Sequence, residues 1–350
     1  MKLTCSHADL NAALRTLSRA VGTGKTHPIL AGVCMVATDD GELHLTAYDL
    51  ELGIHATIDA AVDTAGSTVV PYRLLADITS RLSDAISLAV DGTRLTLAAA
   101  GGSYSLSVAS SDDFPALPVV KADHGDLVDI SDPLSAVLLA CSADAAKQLL
   151  TGVHLAGDGT TLRLEATDGH RLGTRTMPCD AAALDVVIPA RTLHLVRQPA
   201  AIACDNAHAA ITLADGTRII SRILDGTYPN AQSLIPTAFK TTLTVDRITL
   251  LQAMERVAVI ADQHNSVVKL EASAAALKLS AEAEANSGIE SIAATGKLPT
   301  LAVNAHYLID GLRSLDGDTI TIQANSSTTP VVLFGEPGQT YLLMPVQIRS

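Results

Sequence analysis

The sequence is poor in aromatic and charged residues. Its 350 residues include six tyrosines, three phenylalanines and no tryptophan, and only 17% are charged. Recognition of single nucleic-acid bases by stacking needs aromatic side chains, so this composition argues against base-by-base readout. No apolar run reaches the ~18 residues that cross a bilayer, whereas a 48% apolar content excludes wholesale disorder. We therefore expect a globular protein with no membrane association.

The five cysteines lack the short paired spacing of a zinc site, and a disulfide framework would need a secreted protein. Residues 1–20 carry charged side chains among their apolar positions, unlike the uninterrupted apolar core of a signal peptide. We expect a cytoplasmic protein with reduced thiols and no metal or other cofactor. A catalytic cysteine stays open as an alternative among Cys5, Cys34, Cys141, Cys179 and Cys204.

Two sequence markers recur with nearly the same period. The first marker is an apolar residue, followed by a residue that can start a helix and then by a helical pattern. It occurs at residues 70–75, 188–193 and 303–308. The second is an aromatic residue or Met before Pro, at Phe114-Pro115, Tyr228-Pro229 and Met344-Pro345. The steps of 114 to 118 residues divide the chain into thirds. We predict three tandem domains over 1–122, 123–240 and 241–350, joined near 119–126 and 235–241.

Each third contains the same kinds of element. Asp-Gly dipeptides between alternating apolar runs indicate hairpins at 40–41, 91–92, 158–159, 215–216 and 316–317. Apolar residues at helical spacing indicate two helices in each third. The fold class is therefore α+β, with three similar domains that each pack two helices on antiparallel sheets.

Charge is distributed unevenly between the helices and the rest of the chain. The net charge of −13 argues against nucleic acid, because counterion release needs a basic surface. However, the six predicted helices (8–21, 72–83, 132–142, 191–198, 246–260 and 305–314) hold nine arginines and six carboxylates, a net charge of +3. The remainder carries −16. Such a basic helical side suits a phosphate backbone, although arginines also simply solvate exposed helices.

Two motifs could suggest an enzyme. Gly22 to Thr26 resembles the end of a phosphate-binding loop, but Arg19 stands where that motif needs Gly, and a helix rather than a strand precedes it. Asp168 and His170 lie too close together in sequence to complete a metal or catalytic set alone. A turn that binds a peptide is the better interpretation of residues 168–171, beside the alternative of a buried turn without a ligand.

Several motifs, in this order and spacing, together resemble a known family. They are His27-Pro28-Ile29-Leu30, Asp113-Phe114-Pro115, the segment 166–172, Tyr228-Pro229-Asn230 and the segment 341–346. From Met1 to about Ile348 the chain resembles the bacterial sliding clamps, the β subunits of the DNA polymerase III holoenzyme. The resemblance implies a non-catalytic DNA-clamp fold that forms a ring-shaped, head-to-tail homodimer around double-stranded DNA. It also implies processivity in DNA replication, through short peptide motifs of the polymerase III catalytic subunit, the clamp loader, other polymerases and repair factors.

The resemblance also implies three sets of site residues. The expected DNA-binding residues, with Arg81 and Arg197 added from the helical count, are Lys25, Arg73, Arg81, Lys147, Gln148, Arg191 and Arg197. The expected peptide groove between the second and third domains comprises Leu150, Thr167, Gly169, His170, Arg171, Leu172, Pro229, Leu234, Asn304, Tyr307, Leu342, Met344, Pro345 and Val346. The expected dimer interface comprises Tyr104, Leu106, Val259 and Ile260, of which Tyr104 and Leu106 could equally be core residues.

Three departures from the family pattern concern these sites. Ser233 and Gln347 stand where relatives carry Arg, so we expect an altered polar rim around a retained pocket. The loop before Leu150 is short and lacks the tyrosines of some relatives.

A hydrolase or nucleotide-binding enzyme and a repeat scaffold without DNA remain the alternatives. ATP hydrolysis would indicate the first, and failure to stay on circular DNA would indicate the second.

Overall fold

The computed structural model describes residues 1–121, 128–179 and 183–347. Within these ranges the helices are α1 (His7–Leu17), α2 (Tyr72–Thr79), α3 (Ser131–Leu138), α4 (Ala190–Leu193), α5 (Arg247–Ala261) and α6 (Ala305–Ser314). The strands are β1 (Lys2–Cys5), β2 (Gly32–Ala37), β3 (Glu42–Tyr48), β4 (Leu52–Thr64), β5 (Gly66–Pro71), β6 (Ile86–Asp91), β7 (Arg94–Ala99), β8 (Gly102–Ser107), β9 (Gly152–Gly157), β10 (Thr161–Thr167), β11 (Arg171–Pro178), β12 (Leu184–Pro189), β13 (Ala200–Cys204), β14 (His208–Leu213), β15 (Arg218–Arg222), β16 (Thr241–Asp246), β17 (Val267–Ala272), β18 (Ala276–Ala283), β19 (Asn286–Gly296), β20 (Leu301–Asn304), β21 (Thr319–Ala324), β22 (Val331–Phe334) and β23 (Gln339–Leu343).

The chain divides into two compact units, of which the first comprises Met1–Val128 and Gln198–Ile223. Its 11-stranded sheet has the order β13-β14-β15-β4-β1-β6-β7-β8, and β3, β2 and β5 branch from β4. Helix α1 lies on β3 and β4. Its residues Leu10, Leu14 and Leu17 are fully buried, which is the apolar stripe expected of a helix on a sheet.

The second unit comprises Asp129–Arg197 and Leu224–Ser350. Its 12-stranded sheet has the order β12-β9-β10-β11-β23-β22-β21-β16-β19-β18-β17-β20. Helix α3 lies on β10 and β11, whereas α5 packs on α6 and on β17, β18 and β19. The strand pairings described in both units are antiparallel, which confirms the predicted α+β class.

The repeated helix-starting marker is confirmed at its three positions. Helices α2, α4 and α6 begin directly after Pro71, Pro189 and Asn304, each of which ends a strand. The Asn304 side chain accepts a hydrogen bond from the Tyr307 backbone N–H at 3.2 Å, which caps α6. Pro71 and Pro189 occupy the same N-cap position but form no side-chain cap, so of these three helices only α6 is capped by a side chain.

Four of the five predicted hairpins form. Gly41, Gly92, Gly159 and Gly216 adopt positive φ between paired strands, as Asp-Gly turns require. The fifth prediction was wrong: Asp316-Gly317 connects helix α6 to strand β21. The apolar residues before it, including Leu308 and Leu312, form the buried face of a helix rather than a strand.

Helices α2 and α4 are shorter than predicted, which corrects the placement of two arginines. Arg81 and Arg197 lie beyond the helix ends at Thr79 and Leu193. Both guanidinium groups turn back to donate to backbone carbonyls, of Asp77 and of His194. Such contacts satisfy carbonyls that a helix end leaves without partners. Within their observed bounds the six helices hold six arginines and five carboxylates, so their positive excess is smaller than expected.

The five cysteines, all within the described residues, form no disulfide, and two of them are buried. Burial raises the pKa of Cys5 and of Cys204 to about 11 and that of Cys141 to about 12. A thiol with so high a pKa has little thiolate at neutral pH and is a poor nucleophile. Structural thiols are therefore the better account of these three residues.

The three-domain boundaries stay a prediction. The first compact unit includes β13, β14 and β15, which the sequence prediction assigns to the central domain, because β15 pairs with β4. The boundary between 122 and 123 and the end of the resemblance at Ile348 lie outside the described residues.

Candidate peptide groove and basic surface

A tight turn from Thr167 to Arg171 connects β10 to β11. Asp168 Oδ1 accepts hydrogen bonds from the backbone N–H groups of His170 and Arg171, at 2.8 and 3.0 Å. Thr167 Oγ1 donates to the Arg171 carbonyl at 2.6 Å and accepts from the Gly169 N–H at 3.1 Å. Gly169 has φ of +92°, a conformation that L side chains rarely adopt. The sequence Thr-Asp-Gly thus specifies a rigid turn.

The same turn occurs in the first unit, at the position that the internal repeat indicates. Asp49 Oδ1 accepts from the backbone N–H groups of Glu51 and Leu52, at 3.0 and 2.7 Å. Leu50, which corresponds to Gly169, also has a positive φ, of +78°. A leucine in this conformation is strained, so glycine is the less strained choice at the turn of the second unit.

Arg171 holds the turn to the third predicted domain. Its guanidinium contacts Asp168 Oδ2 at 2.9 Å and Asp310 Oδ2 at 2.5 Å, and it lies 4.6 Å from the centre of the Tyr307 ring. The Tyr341 hydroxyl lies 3.5 Å from Nη1. The Arg171 side chain is only 11% exposed, so its charge is already neutralised within the chain. Its guanidinium donors are engaged by Asp168 and Asp310, so Arg171 links the turn to helix α6.

The last described strand brings the chain end to this turn. Strand β23 pairs with β11, so that Leu342 lies opposite Leu172. Beyond the strand, the Met344 N–H donates to the His170 carbonyl at 2.8 Å and the Val346 N–H to the Ala302 carbonyl at 2.7 Å. These two bonds fix residues 344–346 beside the turn.

The groove has a buried floor and an exposed apolar rim. Leu172, Ala231, Val332 and Leu342 form a buried cluster, against which Ile235, Phe239 and Phe334 pack. Leu234, Met344 and Val346 are exposed large apolar side chains. Soft and mobile apolar groups of this kind adapt to a ligand, and their exposure is what a docking site requires.

The other predicted groove residues differ in their exposure. His170 is exposed, and its ring stacks on Tyr307 with centroids 6.2 Å apart. Leu150, Asn304 and Pro345 are half-buried, Thr167 is buried, and Gly169 and Pro229 are exposed. Ser233 is exposed and donates to the Asn230 carbonyl at 2.7 Å, and Gln347 is exposed. All of the predicted groove residues belong to the second unit, and their assembly into one peptide site stays a prediction.

The predicted DNA-binding residues differ in their surroundings. Arg73 projects from α2 with a side chain that is 94% exposed. Lys25 is exposed in a loop of the first unit, and Gln148 is exposed on the second. Arg191 lies on α4 and is exposed. Lys147 is instead close to the peptide turn, because its Nζ donates to the Asp168 carbonyl at 2.8 Å.

The predicted interface residues are not all on the surface. Val259 is 64% exposed on α5, and Tyr104 is 41% exposed on β8. Leu106 is buried opposite Leu95, so it belongs to the core of the first unit. Ile260 is half-buried and lies close to Gly288. A Cβ atom added to Gly288 would be 3.2 Å from Ile260 Cγ1. Strand β8 pairs with β7 and ends the described order of its sheet, which leaves one edge open.

Two further observations concern the described part of the chain. It contains no group of three or more His, Cys, Asp or Glu side chains placed to hold a metal ion. None of its helices is both long enough and apolar enough to span a membrane.

Comparison with known proteins identifies the family. Three domain profiles of the DNA polymerase III β subunit match in succession: the N-terminal domain over 1–118, the central domain over 130–230 and the C-terminal domain over 232–347. Among curated proteins, the β sliding clamp of Synechococcus elongatus is 39% identical over 378 aligned residues that cover the whole of both chains. That of Synechocystis is 36% identical and covers 99% of this chain. The chain belongs to the bacterial β sliding clamp family.

Solved structures agree with this assignment. A sliding clamp of Bacillus subtilis superposes with a TM-score of 0.93 at 25% identity, covering both chains completely. A sliding clamp of Bartonella birtlesii, bound to griselimycin, gives a TM-score of 0.92 at 25% identity, over 99% of this chain and all of that one. The suspected resemblance is thereby confirmed. β Sliding clamps are processivity factors in DNA replication and not enzymes, so the prediction of a non-catalytic protein is confirmed as well.

Sequence reasoning missed two residues that contact Arg171. Asp310 lies three residues after Tyr307 on α6, a spacing that places both side chains on one helix face. Tyr341 is a fully buried part of the C-terminal motif, and its hydroxyl faces Arg171. The helical spacing could have indicated Asp310, but nothing local indicates that its partner lies 139 residues away.

Proposed function

We propose that this clamp acts as a closed head-to-tail dimer around duplex DNA and tethers the replicative polymerase and other partners through their peptide motifs. The full-length match to the clamp family supports the proposal most strongly. Its surface chemistry agrees, since an acidic chain with few aromatic residues suits a hold on DNA that depends on enclosure rather than on bases. Such a protein would work in the cytoplasm, where bacterial DNA is replicated.

Arg73 and Arg191 are the strongest candidates for sliding contacts with phosphates. Both lie on helices that begin at equivalent positions of the repeat. Arg73 has only a distant carboxylate neighbour, Asp77 Oδ2 at 4.0 Å, so its guanidinium is available to another anion. Lys25 and Gln148 extend the proposed contact surface of their units. Arg81 and Arg197 fold back on helix ends, which makes them weaker candidates.

The groove of the second unit is proposed to take an extended peptide of the type Gln-Leu-x-Leu-Phe. The buried floor around Leu172 and Leu342 suits the large apolar side chains of such a motif. The exposed Leu234, Met344 and Val346 would close on it. The clamp of Bartonella birtlesii binds griselimycin, a peptide, which supports a peptide-binding role for the present chain.

Ring closure is proposed to join β8 of one copy to the α5 side of a second copy. Strand β8 offers unpaired backbone groups beside the exposed Tyr104, and α5 offers the exposed Val259. A heterologous contact of this kind closes into a ring when the rotation between copies permits it. Leu106 would support the interface from the core rather than contact the second copy.

The test combines charge reversal with solution mass. We expect Arg73→Glu with Arg191→Glu to weaken loading on nicked circular DNA and to leave the dimer mass unchanged. Each lost phosphate contact should lower the salt dependence of log K by about 0.9. Lys121→Glu, an exposed basic residue outside the proposed contacts, is the matched control. Normal loading of the double variant would show that these arginines only solvate the surface.

A further inference from the structure

His154 lies in a charged cluster on the sheet beside the groove. It belongs to β9, and its side chain is 12% exposed. Its Nδ1 lies 2.6 Å from Glu165 Oε1, and its Nε2 lies 2.6 Å from Asp185 Oδ1. Ionised carboxylate oxygens only accept hydrogen bonds, so the imidazole satisfies both when both of its nitrogens carry a proton. The geometry therefore suits a positively charged His154.

The neighbouring groups favour the same charge state. Burial acts to lower the pKa of His154, but the hydrogen bonds and charges of Glu165 and Asp185 outweigh it and raise that pKa above its ordinary value. Arg163 Nε lies 3.5 Å from the other oxygen of Glu165, so a second positive charge faces this carboxylate. Asp185, the other carboxylate partner of His154, has a side chain that is 85% exposed. Cys141 also lies near Tyr228, but burial raises its pKa to about 12, so it is neutral around pH 7.

Tyr228 connects this cluster to the peptide turn. Its ring stacks on His154 with centroids 4.9 Å apart and planes at 26°. Its buried hydroxyl accepts a hydrogen bond from the Thr167 backbone N–H at 3.1 Å. Thr167 in turn bonds Gly169 and Arg171, and Tyr228 directly precedes Pro229 of the groove. The imidazole is thus two contacts away from the residues proposed to meet the peptide.

We propose that His154, in its doubly protonated form, is a positioning residue of the peptide groove and holds the Tyr228 ring and the Thr167 turn in the peptide-binding geometry. The inference rests on the proposed peptide-binding function. When His154 loses a proton, one ring nitrogen becomes an acceptor that faces a carboxylate oxygen. The imidazole then leaves one carboxylate, and the support of Tyr228 weakens. Affinity for peptide is therefore full below the pKa of His154 and falls as the pH rises through it.

The experiment measures binding of a fluorescein-labelled Gln-Leu-Ser-Leu-Phe peptide to the full-length protein by fluorescence polarisation between pH 5.5 and 9. We expect wild-type affinity to fall about three- to tenfold over this range, the effect of one hydrogen bond. His154→Gln should bind weakly with a flat pH profile. Tyr228→Phe keeps the ring but removes the acceptor of the Thr167 N–H, so it should also give a flat profile. Thermal melts of both variants show whether they are folded.

His170→Gln tests the other titratable group of the proposed groove, and its readout is the pH dependence of binding rather than the affinity. It should keep the fall in affinity with pH. The inference is overturned if His154→Gln retains the wild-type profile, if His170→Gln abolishes it, or if wild-type binding does not depend on pH. Absence of binding at every pH would instead contradict the proposed peptide groove, and the role of His154 with it.

Discussion

Replacing Arg171 with alanine tests how strongly one side chain holds the groove together. The guanidinium contacts two carboxylates, of Asp168 and Asp310, and the three side chains are 11%, 12% and 25% exposed. Removing one partner of a buried ion pair costs about 3–5 kcal/mol, because a charge is left without compensation. Since Asp310 is partly solvated, we expect a loss of about 3 kcal/mol in the free energy of unfolding, at the lower end of that range.

The matched control is Arg313→Ala. Arg313 pairs with Glu255 at 2.7 Å, but both side chains are about half exposed, at 53% and 41%. Solvent screens such a pair, so we expect a loss of at most about 1 kcal/mol. The chain has no tryptophan, so urea unfolding is best followed by far-ultraviolet circular dichroism. If Arg171→Ala costs no more than Arg313→Ala, the ion pairs of Arg171 do not hold the groove wall, and the reasoning fails.

Three further predictions follow from single contacts. Asn304→Ala removes the cap of α6 and should lower the free energy of unfolding by about 1 kcal/mol in urea titrations, whereas Asn304→Asp should be nearly neutral; equal losses would argue against capping. Cys5, Cys141 and Cys204, whose pKa values are raised to about 11 or 12, should react with a thiol reagent at pH 8 only after unfolding, and rapid native labelling would contradict their burial. Deleting residues 344–350 removes the bonds to His170 and Ala302 and should abolish peptide binding while the dimer mass stays unchanged; retained affinity would place the groove elsewhere.

Helix starts and tight turns were predictable because their causes are local. Asn304 caps the N–H three residues later, and Asp49 and Asp168 bond backbone groups two and three residues ahead. Such contacts join residues that are close in sequence, so a short sequence motif is enough to predict them. Helix ends were less predictable, since α4 ends at Leu193 although an apolar pattern continues through Leu195 and Val196.

The residues of the candidate groove were proposed from the resemblance, but their contacts could not be predicted from the sequence. The resemblance identified Arg171, yet its engagement by Asp310 and Tyr341 depends on tertiary contacts between distant segments. Lys147 was predicted to face DNA, whereas its ammonium lies on the Asp168 carbonyl. No periodic pattern predicts such pairings, because they form only when segments that are distant in sequence pack together.

The same limit applies to strand β8. Alternation correctly predicted that Tyr104 and Leu106 share one face of the strand. The pattern did not distinguish the buried Leu106 from the exposed Tyr104, since that difference depends on how far the core extends beneath the sheet.

The most direct test of the clamp assignment is release from DNA on linearisation. Protein loaded on a nicked circular plasmid by a clamp loader should co-migrate with the circle in gel filtration at moderate salt. Cutting the plasmid once should release it, because a topological link ends when a free end forms. Protein that stays bound after the cut, or that never co-migrates with the intact circle, would contradict the account.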